Sequence, residues 1–292
     1  MRITIQNERV RAVIHPIGAE LQELKDLQSG VNYLWSGDPA YWGKFSPVLF
    51  PIVGALKENT YFYKGHQYSL PRHGFARERS FECIDQSPES ASFLLIADAT
   101  TREVYPFDFQ LVIRYSLLDN LLSCTYMVTN PGKEDCYFSL GAHPAFAVPY
   151  GTSVADQRYE DYYLEFSDSD SLQRYTLDKG LIGKGTTEIP LRDKKLQLQK
   201  ELFRQDAIVL KNLPDTEIRL RSDKHAHGLD FGFRDFPFFG IWAAPDAPFV
   251  CLEPWCGIAD SVDHNQQLTE KEGIIRLPPN EIFERQWTVR IY

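Results

Sequence analysis

Hydrophobic residues in this chain alternate with polar ones over short runs and almost never recur at helical spacing. Alternation of period two sends successive side chains to opposite faces, so each run reads as a half-buried strand. Runs at residues 2–6 and 10–15 form a hairpin around Asn7-Glu8, and others follow at 31–35, 48–53, 61–63, 67–70, 81–85 and 92–97. The clearest pair, 109–117 and 121–130, is joined across Leu118-Asp119-Asn120, a hairpin signal. The pattern continues at 161–166, 207–210, 217–221, 238–243, 249–253 and 283–291. Only 41–44, 258–262 and 269–272 suggest helical turns, and the charged segment 167–200 reads as long hairpins or loops. Many short strands punctuated by Gly and Pro indicate an all-β sandwich or barrel. With 292 residues and no linker, repeat or low-complexity tract, residues 1–292 are expected to form one domain.

Composition narrows the function. A net charge of −9 argues against nucleic acid or an anionic membrane surface as partner. No apolar run approaches the roughly 20 residues that span a bilayer. The start of the chain, with Ile3 and Ile5 among polar residues and Glu8 close behind, is not expected to be a signal peptide. Five scattered cysteines lack the short paired spacing of a zinc site, so reduced thiols in a cytoplasm are expected. Aromatic residues make up 13% of the chain, enough to supply stacking surfaces as well as a core.

Two strand ends carry candidate chemistry. In Cys136-Tyr137-Phe138-Ser139-Leu140-Gly141-Ala142-His143-Pro144, proline holds the preceding histidine in an extended conformation. Alternation puts Phe138, Leu140 and Ala142 on a core face, and Tyr137, Ser139, Gly141 and His143 on the other. In Phe249-Val250-Cys251-Leu252-Glu253-Pro254-Trp255, Val250 and Leu252 face inward, while Glu253 and Trp255 share the opposite face about 7 Å apart. A third stretch, Leu70-Pro71-Arg72-His73-Gly74-Phe75, frames a cation and an imidazole between Pro and Gly.

These motifs, in this order and at about these distances, resemble the aldose 1-epimerase (galactose mutarotase) family in its LacX-like branch. The resemblance runs from the N-terminal hairpin to Leu277-Pro278-Pro279-Asn280-Glu281 and the final strand. It implies a large antiparallel β-sandwich and a cofactor-free, metal-free isomerase acting on an aldohexose, as monomer or homodimer. By position Glu253 is the implied general base and His143 the general acid. Arg72 and His73 correspond to sugar-holding residues, as does Asp206, whose surroundings differ from the family's. Ala142 and Pro144-Ala145-Phe146 stand where galactose mutarotases carry Asn and Tyr-Phe, which bears on the choice of sugar.

Such chemistry needs a base for the anomeric hydroxyl and an acid for the ring oxygen, with pKa values near the working pH. The two are expected on opposite sides of one hemiacetal, their ends within about 10 Å across a sugar-sized gap. Trp255, Phe146 and Phe75 are available to stack on a sugar ring. Arg72, Arg77 and Arg79 form the one dense basic cluster near a motif, and alternation would pair Arg77 with Arg79. With Arg72 committed to the sugar, a neutral aldose is favoured over a hexose phosphate. His225-Ala226-His227 is read as a solvated turn rather than a metal site. A glycosidase using Asp206 and Glu253 leaves both other histidines unexplained, and a non-catalytic sugar-binding module is the main reading without catalysis.

Overall fold

Two large sheets carry the fold in the computed structural model, which describes residues 1–150 and 157–292. One has nine strands, running from Lys195–Gln197 through Tyr162–Phe166, Glu217–Ser222, Leu229–Gly232, Ile282–Ile291, Leu121–Thr129, Gln110–Leu118 and Ser90–Ile96 to Glu82–Gln86. The other runs from Leu181–Pro190 through Ser171–Asp178, Ile208–Lys211, Phe238–Trp242, Phe249–Cys256 and Leu140–Ala142 to Val48–Leu49. Ala145–Ala147 also pairs with Phe249–Cys256. The pairings within both sheets are antiparallel. The architecture is an all-β sandwich.

Alternation explains the core. Gln110–Leu118 buries Leu111, Ile113, Tyr115 and Leu117, and its partner Leu121–Thr129 buries Leu122, Cys124, Tyr126 and Val128. Leu118 and Leu121 are paired, so Asp119-Asn120 is the two-residue turn, with Asp119 at φ 52°. The sheets meet where Phe146 packs edge-on against Phe231, ring centres 5.8 Å apart. Phe231 in turn stacks on Trp287, whose Nε1–H donates to the Tyr126 hydroxyl at 3.1 Å. Burying a side chain such as Phe146 contributes about 1.5–3 kcal/mol.

The centre of the second sheet is buried on both faces, while its outer hairpin, Ser171–Asp178 with Leu181–Pro190, is largely exposed. Every residue of Phe249–Cys256 is buried, which is why that run reads as continuously apolar apart from Glu253. Ile208 and Leu210 join the main core, while Val209, between them, joins a second apolar cluster with Phe238, Trp255 and Ile258. That second cluster floors a cleft.

Local expectations were met unevenly. Segment 167–200 contains the expected hairpin, Ser171–Asp178 with Leu181–Pro190, turning at Lys179-Gly180. The run at 31–35 contributes only single bridges at Asn32 and Leu34, and 48–53 shortens to Val48–Leu49. Of the three expected helical turns, 269–272 overlaps a one-turn helix at Leu268–Glu270, whereas 41–44 and 258–262 are irregular. The third N-terminal strand, Glu20–Asp26, and the capped helix Ala99–Val104 were not anticipated.

Candidate active site

Trp255 shows how the strands shape the site. Its partner across the ladder is Gly141, and its indole lies over both Gly141 and Gly240. A β-carbon on Gly141 would come within 2.7 Å of indole Cδ1, and one on Gly240 within 2.4 Å of Cζ2. The space cleared around the histidine strand is therefore filled by the protein's own tryptophan. The Trp255 Nε1–H is buried without a hydrogen-bond partner among the described residues, although its ring lines the cavity.

That cavity holds about 350 Å³, within the roughly 300–1,000 Å³ range of small-molecule sites. His143, Glu253, Arg72, His73, Asp206 and Trp255 all line it. His143 Nε2 and Glu253 Oε2 are 3.3 Å apart, and the residues are 8% and 2% exposed. Glu253 arrives on the cleft side of its strand. His143 follows the short strand Leu140–Ala142, which pairs with the same strand as Glu253. The expected sugar-sized gap between them is absent. Since the two reacting oxygens of a cyclic hemiacetal are bonded to the same carbon, a touching acid and base can still reach both from one side.

Burial sets their charge. It lowers the His143 imidazolium to about 3, the positive charge of Arg77 acting the same way. It raises Glu253 well above the usual carboxylate value, and the negative charge of Asp206 adds to this. Both directions favour an uncharged pair, a carboxylic acid beside a neutral imidazole. Moving that one proton across the contact gives carboxylate and imidazolium, with no change in net charge.

His73 is held unusually tightly. It adopts φ 68°, a left-handed conformation uncommon for residues with side chains. Its backbone N–H donates to the Gly54 carbonyl at 2.9 Å, and the Gly54 N–H donates to His73 Nδ1 at 3.1 Å. With Nδ1 accepting, the ring's proton sits on Nε2. Burial and the neighbouring His143 and arginines lower His73 well below its ordinary value, keeping it neutral. The result is one oriented N–H donor.

Asp206 also has left-handed geometry, φ 68°, and its Oδ1 accepts from the Ala207 N–H. It lines both the cavity and an adjoining basic hollow that includes Arg72, Arg174, Lys179 and Arg204. Arg174 is committed to the carbonyls of Leu202, Gln205 and Asp206, and Arg204 to Glu201.

Three sequence expectations need correction. Phe146 is fully buried between the sheets, and Phe75 packs among Phe50, Tyr105 and Phe109, so neither ring faces the cleft. Arg77 and Arg79 do not act as a strand pair, because Ala76–Glu78 is a helical turn. Arg77 lines the cavity and donates to the Arg72 carbonyl, whereas Arg79 bonds to Thr100 outside it. His225 and His227 lie away from the cavity, the first hydrogen-bonded to the Tyr162 hydroxyl at 2.8 Å.

The aromatic walls missed in sequence are Trp42 and Trp242. Trp42 stacks on His143 with ring centres 4.8 Å apart, and Trp242 meets the same imidazole edge-on at 5.6 Å. Leu177, Gly180 and Ile182 of the 171–190 hairpin also line the cavity, as do Ile258 and Ala259 from the segment bridged to Ile182. Trp242 had a signal, since it ends a continuously apolar strand; Trp42 lies outside any strand and had none.

The fold is that of the galactose mutarotase-like β-sandwiches. A galactose mutarotase-related enzyme from Lactobacillus acidophilus superposes with a TM-score of 0.94 at 36% identity, covering 100% of this chain and 97% of that one. A galactose mutarotase-like protein from Lactobacillus casei gives 0.92 at 31% identity, with 100% of both chains covered. The chain belongs to the aldose 1-epimerase family, whose model matches residues 1–281. It is also 32% identical over 302 residues to the plasmid-borne protein LacX of Lactococcus lactis subsp. lactis, covering 100% of this chain and 99% of that protein. Family and neighbours together support a mutarotase-type function.

Proposed function

We propose that the chain is an aldose 1-epimerase interconverting the α and β anomers of a neutral aldohexose. The observation that carries this reading is the 3.3 Å contact between His143 and Glu253 on the wall of a closed-in cavity. Glu253 takes the proton of the anomeric hydroxyl while His143 gives one to the ring oxygen, and the ring C–O bond breaks. The aldehyde rotates about its C1–C2 bond, and the reverse transfers close the ring on its other face. Ring opening leaves Glu253 protonated and His143 neutral, which is also the charge state burial favours for the resting pair.

His73 Nε2–H, Arg72, Arg77 and Asp206 are assigned to the sugar's oxygens, and Trp42, Trp242 and Trp255 to its apolar faces. The cavity draws on residues from Trp42 to Ala259, which supports one domain acting as a unit. Five unpaired cysteines suit a reducing compartment such as the cytoplasm. Polarimetry on freshly dissolved α-glucose and α-galactose tests the activity. Equilibration no faster than buffer would leave a non-catalytic sugar-binding protein.

A hexose phosphate is the second reading, and the basic hollow beside Arg72 favours it. Because Arg174 and Arg204 are already committed within the protein, the neutral sugar is preferred. The ratio of kcat/KM for glucose 6-phosphate over glucose, measured at low and raised salt, separates them. A strong, salt-sensitive preference for the phosphate reverses the choice and leaves His143 and Glu253 in place.

A further inference from the structure

Cys251 lies two residues before Glu253, on the same side of the strand, and is fully buried. Its Sγ, a ring nitrogen of His143 and a carboxylate oxygen of Glu253 all lie within 4.8 Å of one another. The cysteine spacing along the sequence gives no hint of this, because the histidine follows a different strand, over a hundred positions away. We propose that His143, Cys251 and Glu253 form an inhibitory site for a thiophilic divalent cation, of which Zn²⁺ is the representative.

The donor set and spacing suit such an ion. Zn²⁺ takes sulfur at about 2.3 Å, imidazole nitrogen at about 2.0–2.1 Å and carboxylate oxygen at about 2.0–2.2 Å in tetrahedral array. Donors around one such ion lie a few ångströms apart, as the 3.3 Å contact between His143 and Glu253 already does. His143 and Glu253 line the cavity, so the ion enters by the sugar's route. Thiolate, imidazole and carboxylate together select zinc-like ions over Mg²⁺ or Ca²⁺, which prefer all-oxygen sets.

Binding replaces the thiol proton and the proton shared by His143 and Glu253 with the metal, releasing two protons and changing no oxidation state. The occupied pair can neither accept the anomeric proton nor deliver one to the ring oxygen. Zinc therefore competes with sugar and abolishes turnover, and a chelator restores it. This consequence rests on the proposed mutarotase reaction; occupancy of the site does not.

The test uses Co²⁺ as a spectroscopic stand-in for Zn²⁺, added to the full chain. The expected spectrum has a thiolate-to-cobalt charge-transfer band and intense visible bands of a tetrahedral ion, all displaced by Zn²⁺. Cys251→Ser and Cys251→Ala should lose the charge-transfer band and weaken Zn²⁺ binding by at least about ten-fold, the scale that even outer-shell changes reach. Both variants should keep metal-free mutarotation and gain resistance to zinc. Cys83→Ser, which removes the one cysteine that is not buried, should leave the band unchanged. A cobalt spectrum without a thiolate band, a band lost in Cys83→Ser, or unchanged zinc affinity in the folded Cys251 variants would overturn the site. Thiolate-ligated cobalt in a protein without mutarotation would uphold the site and refute the enzyme.

Discussion

His143 and Glu253 touch at 3.3 Å, and burial pushes their proton affinities in opposite directions. The pair therefore behaves as one titrating unit. Below the lowered value near 3 it takes a second proton and loses its base; above the raised Glu253 value it loses its proton and has no acid. An isolated imidazole acid would lose activity as pH rises through about 6.5. The coupled pair instead puts the acid-side fall of kcat near 3 and assigns the alkaline fall to Glu253, above the ordinary carboxylate value. A stopped-flow or polarimetric pH profile of kcat checks this, and an acid-side fall centred on the ordinary imidazole value would contradict it.

Trp255 and the two glycines beneath it give a second expectation. Gly141→Ala or Gly240→Ala drives a methyl into the indole. Overpacking of this kind destabilises by about 1–3 kcal/mol, and the displaced ring intrudes on the cavity. Denaturant midpoints should fall and KM should rise in both variants. Wild-type KM in a folded Gly141→Ala protein would show that Trp255 does not shape the sugar site.

Phe146 should matter to stability and not to sugar. Phe146→Ala is expected to cost about 3–5 kcal/mol as a core cavity, whereas Phe146→Leu should fold with KM unchanged. Sequence placed it in the site as an aromatic ring beside the His143 motif, although alternation continued from Phe138, Leu140 and Ala142 assigns it to the core face, where it lies. In Gln110–Leu118 burial alternates residue by residue, whereas Phe249–Cys256 is buried throughout, so alternation there does not separate core from cleft.

The same logic sets what else was legible. His143, Glu253 and His73 stand out because Pro or Gly beside each fixes a local geometry that needs no tertiary knowledge. Trp42, Arg77 and the hairpin residues Leu177 and Ile182 line the cavity from segments far apart in sequence. Bringing them together depends on long-range strand order, which period-two alternation does not encode. The contact distance between His143 and Glu253 belongs to the same class, since it follows from the pairing of Leu140–Ala142 with Phe249–Cys256.

His73 is expected to act in binding. Replacing it with Ala removes the Nε2–H donor and leaves the Gly54 N–H without its acceptor. Loss of such a buried hydrogen bond costs about 1–3 kcal/mol, so KM should rise by roughly one to two orders of magnitude with a smaller change in kcat. A drop in kcat alone, measured by initial rates across sugar concentrations, would instead place His73 in the proton transfers.

The central claim is that Glu253 moves the anomeric proton. Glu253→Gln keeps the side chain's shape and removes its basicity. Turnover measured by polarimetry or NMR exchange should fall about 10²–10⁴-fold, the range for a positioned proton-transfer group, with sugar affinity by calorimetry nearly unchanged. Turnover retained within a few-fold of wild type, in a folded variant that binds sugar, would contradict the account.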